Sequence, residues 1–359
     1  MQKRKWRKKL LAGAAALCLA LSGCSFGAAE AQKQTGIETE TETASAEQAL
    51  GDAVSGSGSA EQTIGSAASG PVPEEQALGG TVSSSDSAKQ ALTGAVSYLG
   101  PEGTYTQEAT QCFFGAEGDY RPQKTVADAL QEVLNGSCEY AVIPQENTIG
   151  GPVYDYLDEL LAHEGLSVQG EVELPIRQAL LAPEGTKLDE IKTVYSHSQG
   201  IIQSAGWLSE YLPSAEIIEV SSTAEGARLA ASAEHADCAA VASAGAASVY
   251  GLSVLAENIQ QNENNQTRFY VVSAEEADKS ASDRMLFTAE GKSANLPELM
   301  KQIVKEGLQL ISVHDRPAGT VLGEYIYLIE CEPGNFQKYE KISGVSGFDY
   351  HFYGSFSVR

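Results

Sequence analysis

From Val96 onward, short apolar runs alternate with segments whose apolar residues recur at helical spacing. That alternation restricts the chain to few architectures. VSYL (96–99) reads as a strand ending in Gly100-Pro101-Glu102-Gly103-Thr104, and an amphipathic stretch follows at 105–114. VADALQEVL (126–134) has helical spacing and stops at Gly136. YAVIP (140–144) reads as a buried strand running into a polar loop, Gln145-Glu146-Asn147-Thr148, and VYDYLDELL (153–161) is helical again. KTVYSHSQG (192–200) is a strand ending in a polar turn, ahead of a helix carrying Ile201, Ile202, Trp207 and Leu208. AEIIEV (215–220) is a strand, Ser221-Ser222-Thr223 caps a helix over 224–233, and CAAVAS (238–243) is another strand. Strands alternating with helices predict an α/β fold with substantially parallel sheets.

Polar residues gather where strands give way to loops or helices: Glu146-Asn147-Thr148, Ser196-His197 and Ser222-Thr223. In open α/β sheets small ligands bind off the strand carboxyl ends, beside helix N-termini. Hydroxyls, amides and backbone N–H groups there suit carboxylates. At any one of these turns, helix capping is the ordinary role. Three of them, with Asn265-Gln266-Thr267-Arg268-Phe269, point to a site. The sequence has no Cys-x-x-Cys, no His pair at metal spacing, no Gly-x-Ser-x-Gly and no phosphate loop. Cys112, Cys138, Cys238 and Cys331 stand apart, open to one disulfide or to four free thiols.

The first 94 residues read differently. Lys3, Arg4, Lys5, Arg7, Lys8 and Lys9 precede a 12-residue apolar run (10–21), short for a permanent span but suited to a secretory signal. It ends in Leu21-Ser22-Gly23-Cys24, which resembles the bacterial lipoprotein box. The resemblance implies a signal over 1–23, acylation of Cys24 and an extracytoplasmic, membrane-anchored protein. Residues 24–94 are rich in Ser, Gly, Ala, Thr and Glu, too poor in apolar area to offset their ordering entropy. A weak repeat starts at Glu47, Glu61, Glu75 and Lys89, one every 14 residues. Gly, Ser, Pro71 and Pro73 between the copies argue for a tether and against a coiled coil. A flexible chain of that length spans roughly 40–50 Å. Loss of the signal removes six of 24 basic side chains and none of 48 acidic ones, taking the formal charge from −24 to −30. So acidic a body disfavours nucleic acid, and an anionic ligand must find a local positive site.

The segments from 96 to about 274, in this order, resemble the prephenate dehydratase family. The motifs are Tyr98-Leu99-Gly100-Pro101-Glu102-Gly103-Thr104-Tyr105, Pro144-Gln145-Glu146-Asn147-Thr148 with Gly151, Ser196-His197-Ser198-Gln199 with Gln203, Ser222-Thr223-Ala224-Glu225, and Asn265-x-Thr267-Arg268-Phe269. Two departures are mild: Ser198 replaces the usual Pro, and Gln261 stands where Asp is common. The resemblance implies a domain over 95–276, built of two α/β subdomains like a type II periplasmic binding protein, with the active site in the cleft. Residues 283–359 resemble an ACT domain, an α+β module of order βαββαβ. Its likeness rests on RMLFTAE (284–290), the Leu296–Glu306 helix, His314-Asp315-Arg316-Pro317, Gly323-Glu324-Tyr325 and Tyr353-Gly354-Ser355-Phe356. The stretch between Pro333 and Tyr353 looks shortened.

The implied reaction is loss of CO₂ and the ring hydroxyl from prephenate, without a cofactor or covalent nucleophile. Thr267, Asn147, Ser196 and Gln203 are the implied catalytic residues, Thr267 donating to the departing hydroxyl. Arg268, Ser222, Thr223, His197 and Glu146 are the implied substrate contacts, with Arg268 either a carboxylate anchor or the partner of a buried acid. In the ACT-like region, Ala294, Asn295, Leu296, Asp315 and Arg316 occupy the effector positions that bind phenylalanine at a dimer interface in the family. Ala294-Asn295-Leu296 replaces Gly-Ala-Leu, and a Cβ at the first position obstructs close backbone approach. Asp315 replaces Ser and adds a repelling carboxylate. Weak or absent phenylalanine binding is therefore expected. Arogenate is an alternative substrate, and a ligand-sensing lipoprotein an alternative function, for the same fold. The family precedent is a dimer or tetramer.

Overall fold

The computed structural model describes residues 94–232 and 237–359. The expected signal (1–23), Cys24 and the spacer through residue 93 lie outside the described residues.

Strand β1 (Val96–Leu99) is the first of the apolar runs and pairs in parallel with β2 (Tyr120–Gln123) and β3 (Tyr140–Asn147). Helices α1 (Tyr105–Phe114) and α2 (Val126–Leu134) make the crossovers. Each begins at a threonine whose hydroxyl accepts from a first-turn N–H: Thr104 from Gln107 and Thr125 from Asp128. Helix α2 buries Val126, Ala129, Leu130 and Val133, the i, i+3, i+4, i+7 stripe that marks it in the sequence.

Strand β3 does not end at Pro144. The strand continues through Gln145, which sits at a register shift, to Glu146 and Asn147, which pair with β11 (Gln266–Ser273) and the two-residue β4 (Gly151–Pro152). The expected polar loop is therefore strand through Asn147, because a partner over a hundred residues away satisfies its backbone.

β5 (Ser167–Pro175) leads out of the first sheet and β11 leads back into it, the two lying antiparallel side by side. Between them lies a second lobe. Its sheet has the order β10 (Ser253–Ala256), β6 (Ala179–Ala182), β9 (Cys238–Ala242), β7 (Thr193–Ser196), β8 (Glu216–Glu219). β7 is parallel to β8 and β9, whereas β6 is antiparallel to β9 and β10. Both sheets are thus mixed, where the alternation alone predicted substantially parallel ones. Helices α3 (Tyr154–Leu161), α4 (Ser198–Tyr211), α5 (Thr223–Ser232) and α6 (Gly245–Tyr250) complete the two lobes.

The C-terminal region runs β12 (Arg284–Lys292), α7 (Leu296–Lys305), β13 (Gln309–Pro317), β14 (Glu324–Glu332), α8 (Phe336–Ile342) and β15 (Phe348–Val358), the expected βαββαβ order. Its strands lie β13-β14-β12-β15, all antiparallel. Ser357 and Val358 then pair in parallel with Gly170 and Glu171 of β5, fusing this sheet to the first lobe's. Leu286, Leu328, Tyr353 and Phe356 pack into one core with Leu130, Leu157, Leu160 and Tyr270. Each such side chain contributes about 1.5–3 kcal/mol by burial, so the C-terminal region is an integral part of the first lobe's stability. Cys112, Cys138, Cys238 and Cys331 are all free thiols.

Candidate active site

The two lobes bound a cleft of about 430 Å³. The ends of β1 and β3, the start of α1 and the turn before α2 supply one wall through Leu99, Thr104, Lys124, Pro144 and Asn147. The other lobe supplies Gln178, His197, Gln199, Gln203, Ser222 and Thr223, and the returning strand β11 adds Thr267 and Phe269. The helices α1, α4 and α5 all begin at this cleft, with Thr104, His197 and Ser222 at their caps. Their unpaired N–H groups carry partial positive charge, which suits an anion.

Asn147 and Thr267 are opposed in register on β3 and β11. Asn147 Oδ1 accepts from the N–H groups of Ile149 (3.0 Å) and Gly150 (2.9 Å), which fixes the amide orientation. Nδ2 then donates to Thr267 Oγ1 (2.9 Å), Asn265 Oδ1 (2.8 Å) and the Gln266 carbonyl (3.1 Å). The Thr267 oxygen is thereby an acceptor toward Asn147, and its own proton remains free to be donated into the cleft.

Arg268, next along β11, points the other way. Its side chain is 11% exposed and absent from the cleft lining. Nε bonds Glu171 (2.5 Å), Nη1 bonds Glu146 (3.0 Å) and Nη2 bonds Glu330 of the C-terminal region. With its amide oxygen turned toward the guanidinium, Gln145 adds a contact of 3.2 Å. Burial alone would lower the Arg268 pKa, but Glu330 and Glu171 override it and raise it. Arg284 joins the cluster through Glu171 (3.0 Å) and Glu173 (2.8 Å), and Tyr270 donates to Glu330 (2.9 Å). Of the two roles open to Arg268 in the sequence, the geometry is that of the partner to buried acids. Glu146 shares it, as a carboxylate committed to Arg268.

Ser196 is wholly buried and donates to the Val241 carbonyl at 2.7 Å, so it lies behind the cleft surface. Gln203 does reach the cleft and accepts from Gln178 Nε2 at 2.9 Å. His197 caps α4, its Nδ1 accepting from Gln199 N at 3.3 Å, which leaves Nε2 to carry the proton of the neutral ring. Ser222 accepts from Glu225 N at 3.0 Å, a cap as well as a cleft residue.

The cleft residues outside those picked from the sequence include Thr104, Lys124, Gln178 and Gln199. Thr104 and Gln199 stand within quoted motifs. Lys124 follows β2, whose sequence YRPQ lacks apolar alternation and so hides the strand-to-helix turn. Gln178 is 2% exposed, and its Oε1 has no hydrogen-bond partner among the described residues.

Two of the residues expected at an effector site, Asn295 and Arg316, have side-chain partners within the chain. Asn295 bonds the Gly347 carbonyl at 3.4 Å, beside Ala294 in a 3-10 turn that Leu296 closes. Arg316 makes a two-pronged pair with Asp158 of α3 (2.5 and 2.6 Å) and lies 4.8 Å from the centre of the Tyr154 ring. Asp315 is exposed.

Residues 96–277 match the family model described as prephenate dehydratase. A bifunctional chorismate mutase/prephenate dehydratase from Neisseria gonorrhoeae is 37% identical over 238 residues, 66% of this chain and 66% of that one. The chain thus spans just under two thirds of that relative's length. A prephenate dehydratase from Lactococcus lactis is 30% identical over 66% of this chain and 86% of its own length. A prephenate dehydratase from Arthrobacter aurescens, solved in complex with L-Phe, superposes with a TM-score of 0.66 at 29% identity, covering 73% of this chain and 90% of that one.

Proposed function

The chain belongs to the prephenate dehydratase family, and from that premise we propose that it converts prephenate to phenylpyruvate, CO₂ and water. The observation that carries the reading is the Thr267 hydroxyl at the cleft wall, its oxygen held as an acceptor by the Asn147 amide. In the reaction the ring carboxylate leaves as CO₂, and its bonding pair enters the ring. The carbon–oxygen bond at the far ring position breaks, and the departing oxygen takes up one proton. Thr267 donates a hydrogen bond to that oxygen as its charge grows, and solvent supplies the net proton. A threonine hydroxyl is a weak acid, and the Asn147 N–H held on its oxygen makes it a better donor. Aromatisation supplies the driving force. Gln203, Ser222, Thr223 and His197 position the substrate from the opposite lobe.

Arogenate is the second reading. The unpartnered Gln178 amide oxygen offers an acceptor for an ammonium group in place of the prephenate keto oxygen. Steady-state kinetics of the full chain on both substrates tests this. A kcat/KM for prephenate at least tenfold above that for arogenate supports the first reading, and the reverse order the second. Binding of both without turnover would replace the enzyme with a ligand-sensing protein.

The wider architecture belongs to the same proposal. Residues 95–276 form the catalytic domain. Residues 283–359 form an ACT domain, a reading supported by their βαββαβ order and antiparallel sheet. In it we expect L-phenylalanine to bind weakly or not at all. Cys24 carries a lipid that anchors the chain outside the cytoplasm, with residues 24–94 as tether, and the assembly is a dimer or tetramer. Fractionation of cells expressing the full chain tests the anchor. A Cys24→Ser chain that stays in the membrane fraction would contradict it.

A further inference from the structure

We propose that Lys124 is the cationic anchor for the carboxylate that the substrate keeps through the reaction, an inference that rests on the reaction assigned above. A substrate with two carboxylates entering a chain of formal charge −24 needs local positive charge. Arg268, the obvious candidate from its place beside Thr267, is committed to Glu146, Glu171 and Glu330 and does not line the cleft. Among the residues that do, Lys124 is the one lysine or arginine. No carboxylate of the described residues pairs with Lys124, whereas Lys187, Lys192, Lys301 and Lys341 each have one. Its charge is thus available to a ligand.

Chemistry decides which carboxylate it holds. Decarboxylation disperses the charge of the departing carboxylate, so a cation fixed on that group would stabilise the ground state more than the transition state. The wall bearing Leu99, Pro144, Ile176 and Phe269 is the better place for it, because poor solvation favours loss of CO₂. The side-chain carboxylate keeps its charge from substrate to product. A lysine on that group binds ground and transition states alike, and its loss shows in KM with little change in kcat.

Phenylpyruvate, the expected product, retains that carboxylate and lacks the other, so it is the discriminating probe. In the full-length chain, Lys124→Met should raise the prephenate KM and the phenylpyruvate Kd together, each on the order of 10- to 100-fold, with kcat changed less than about threefold. Lys124→Arg, which keeps the charge, should recover most of both, and so separates loss of charge from misfolding. Unchanged phenylpyruvate affinity in Lys124→Met, or a fall in kcat alone, would overturn the assignment. A wild-type chain that binds phenylpyruvate through Lys124 but turns over no prephenate would sink the proposed reaction and leave the anchor standing. A wild-type chain that binds no phenylpyruvate would overturn the anchor.

Discussion

Asn147 Nδ2 donates to Thr267 Oγ1 at 2.9 Å, and two backbone N–H groups on Asn147 Oδ1 fix that direction. The polarity of this one hydrogen bond gives the site its chemistry, because it points the Thr267 proton away from the protein. Asn147→Asp keeps the size and reverses the polarity: a carboxylate there accepts the Thr267 proton. We expect kcat to fall on the order of 100-fold or more, as for removal of a transition-state donor. Equal kcat for Asn147→Asp and wild type would show that the Thr267 proton plays no part.

Ser196→Ala separates the cleft surface from what supports it. The hydroxyl bonds Val241 O and does not line the cleft, so its loss removes a buried hydrogen bond. We expect about 1–3 kcal/mol of lost stability in urea unfolding, with kcat/KM within a few-fold of wild type. A hundredfold loss of kcat at unchanged stability would return Ser196 to the catalytic group.

The Glu330 carboxylate joins the C-terminal region to β11 through Arg268 and Tyr270. Truncation in Glu330→Ala removes the buried acceptor of Arg268 Nη2 and of the Tyr270 hydroxyl, and we expect about 1–3 kcal/mol of destabilisation. A loss below about 1 kcal/mol would mean that Glu146 and Glu171 suffice for Arg268.

The same group predicts a pH dependence. Burial first, and the Glu171 carboxylate second, raise the Glu330 carboxyl from 4.5 to about 8, against the pull of Arg268 and Arg284. The folded state therefore holds this proton where the unfolded chain has released it. The stability linked to it is complete below pH 4.5 and is lost as pH rises through about 8. Glu330→Gln removes the titrating group, so its unfolding free energy should fall less than wild type's between those two values. Parallel curves would contradict the raised pKa.

Much of this was legible in the sequence, and the limits have physical causes. The helices at 105–114 and 126–134 matched residue for residue, because threonine caps and apolar spacing are local signals. Asn147 and Thr267 stood out as polar residues beside apolar runs. The role of Arg268 did not, because Glu171 and Glu330 lie 97 and 62 residues away in the chain. Lys124 was hidden by a strand without a buried residue, which carries no alternation to read.

The L-phenylalanine expectation is tested by calorimetry on the full chain. Arg316 is engaged with Asp158, and the neighbouring Asp315 is an exposed carboxylate. We expect no binding in the micromolar range. A micromolar Kd accompanied by inhibition would show that the Arg316–Asp158 pair opens for the effector.

The most direct test of the central claim is prephenate turnover by the full chain beside Thr267→Ala, followed by phenylpyruvate absorbance at neutral pH. The account predicts turnover by the wild-type chain and a kcat lower by about 10²- to 10⁴-fold in Thr267→Ala, with KM little changed. Turnover of comparable rate in both chains, or in neither, would contradict it.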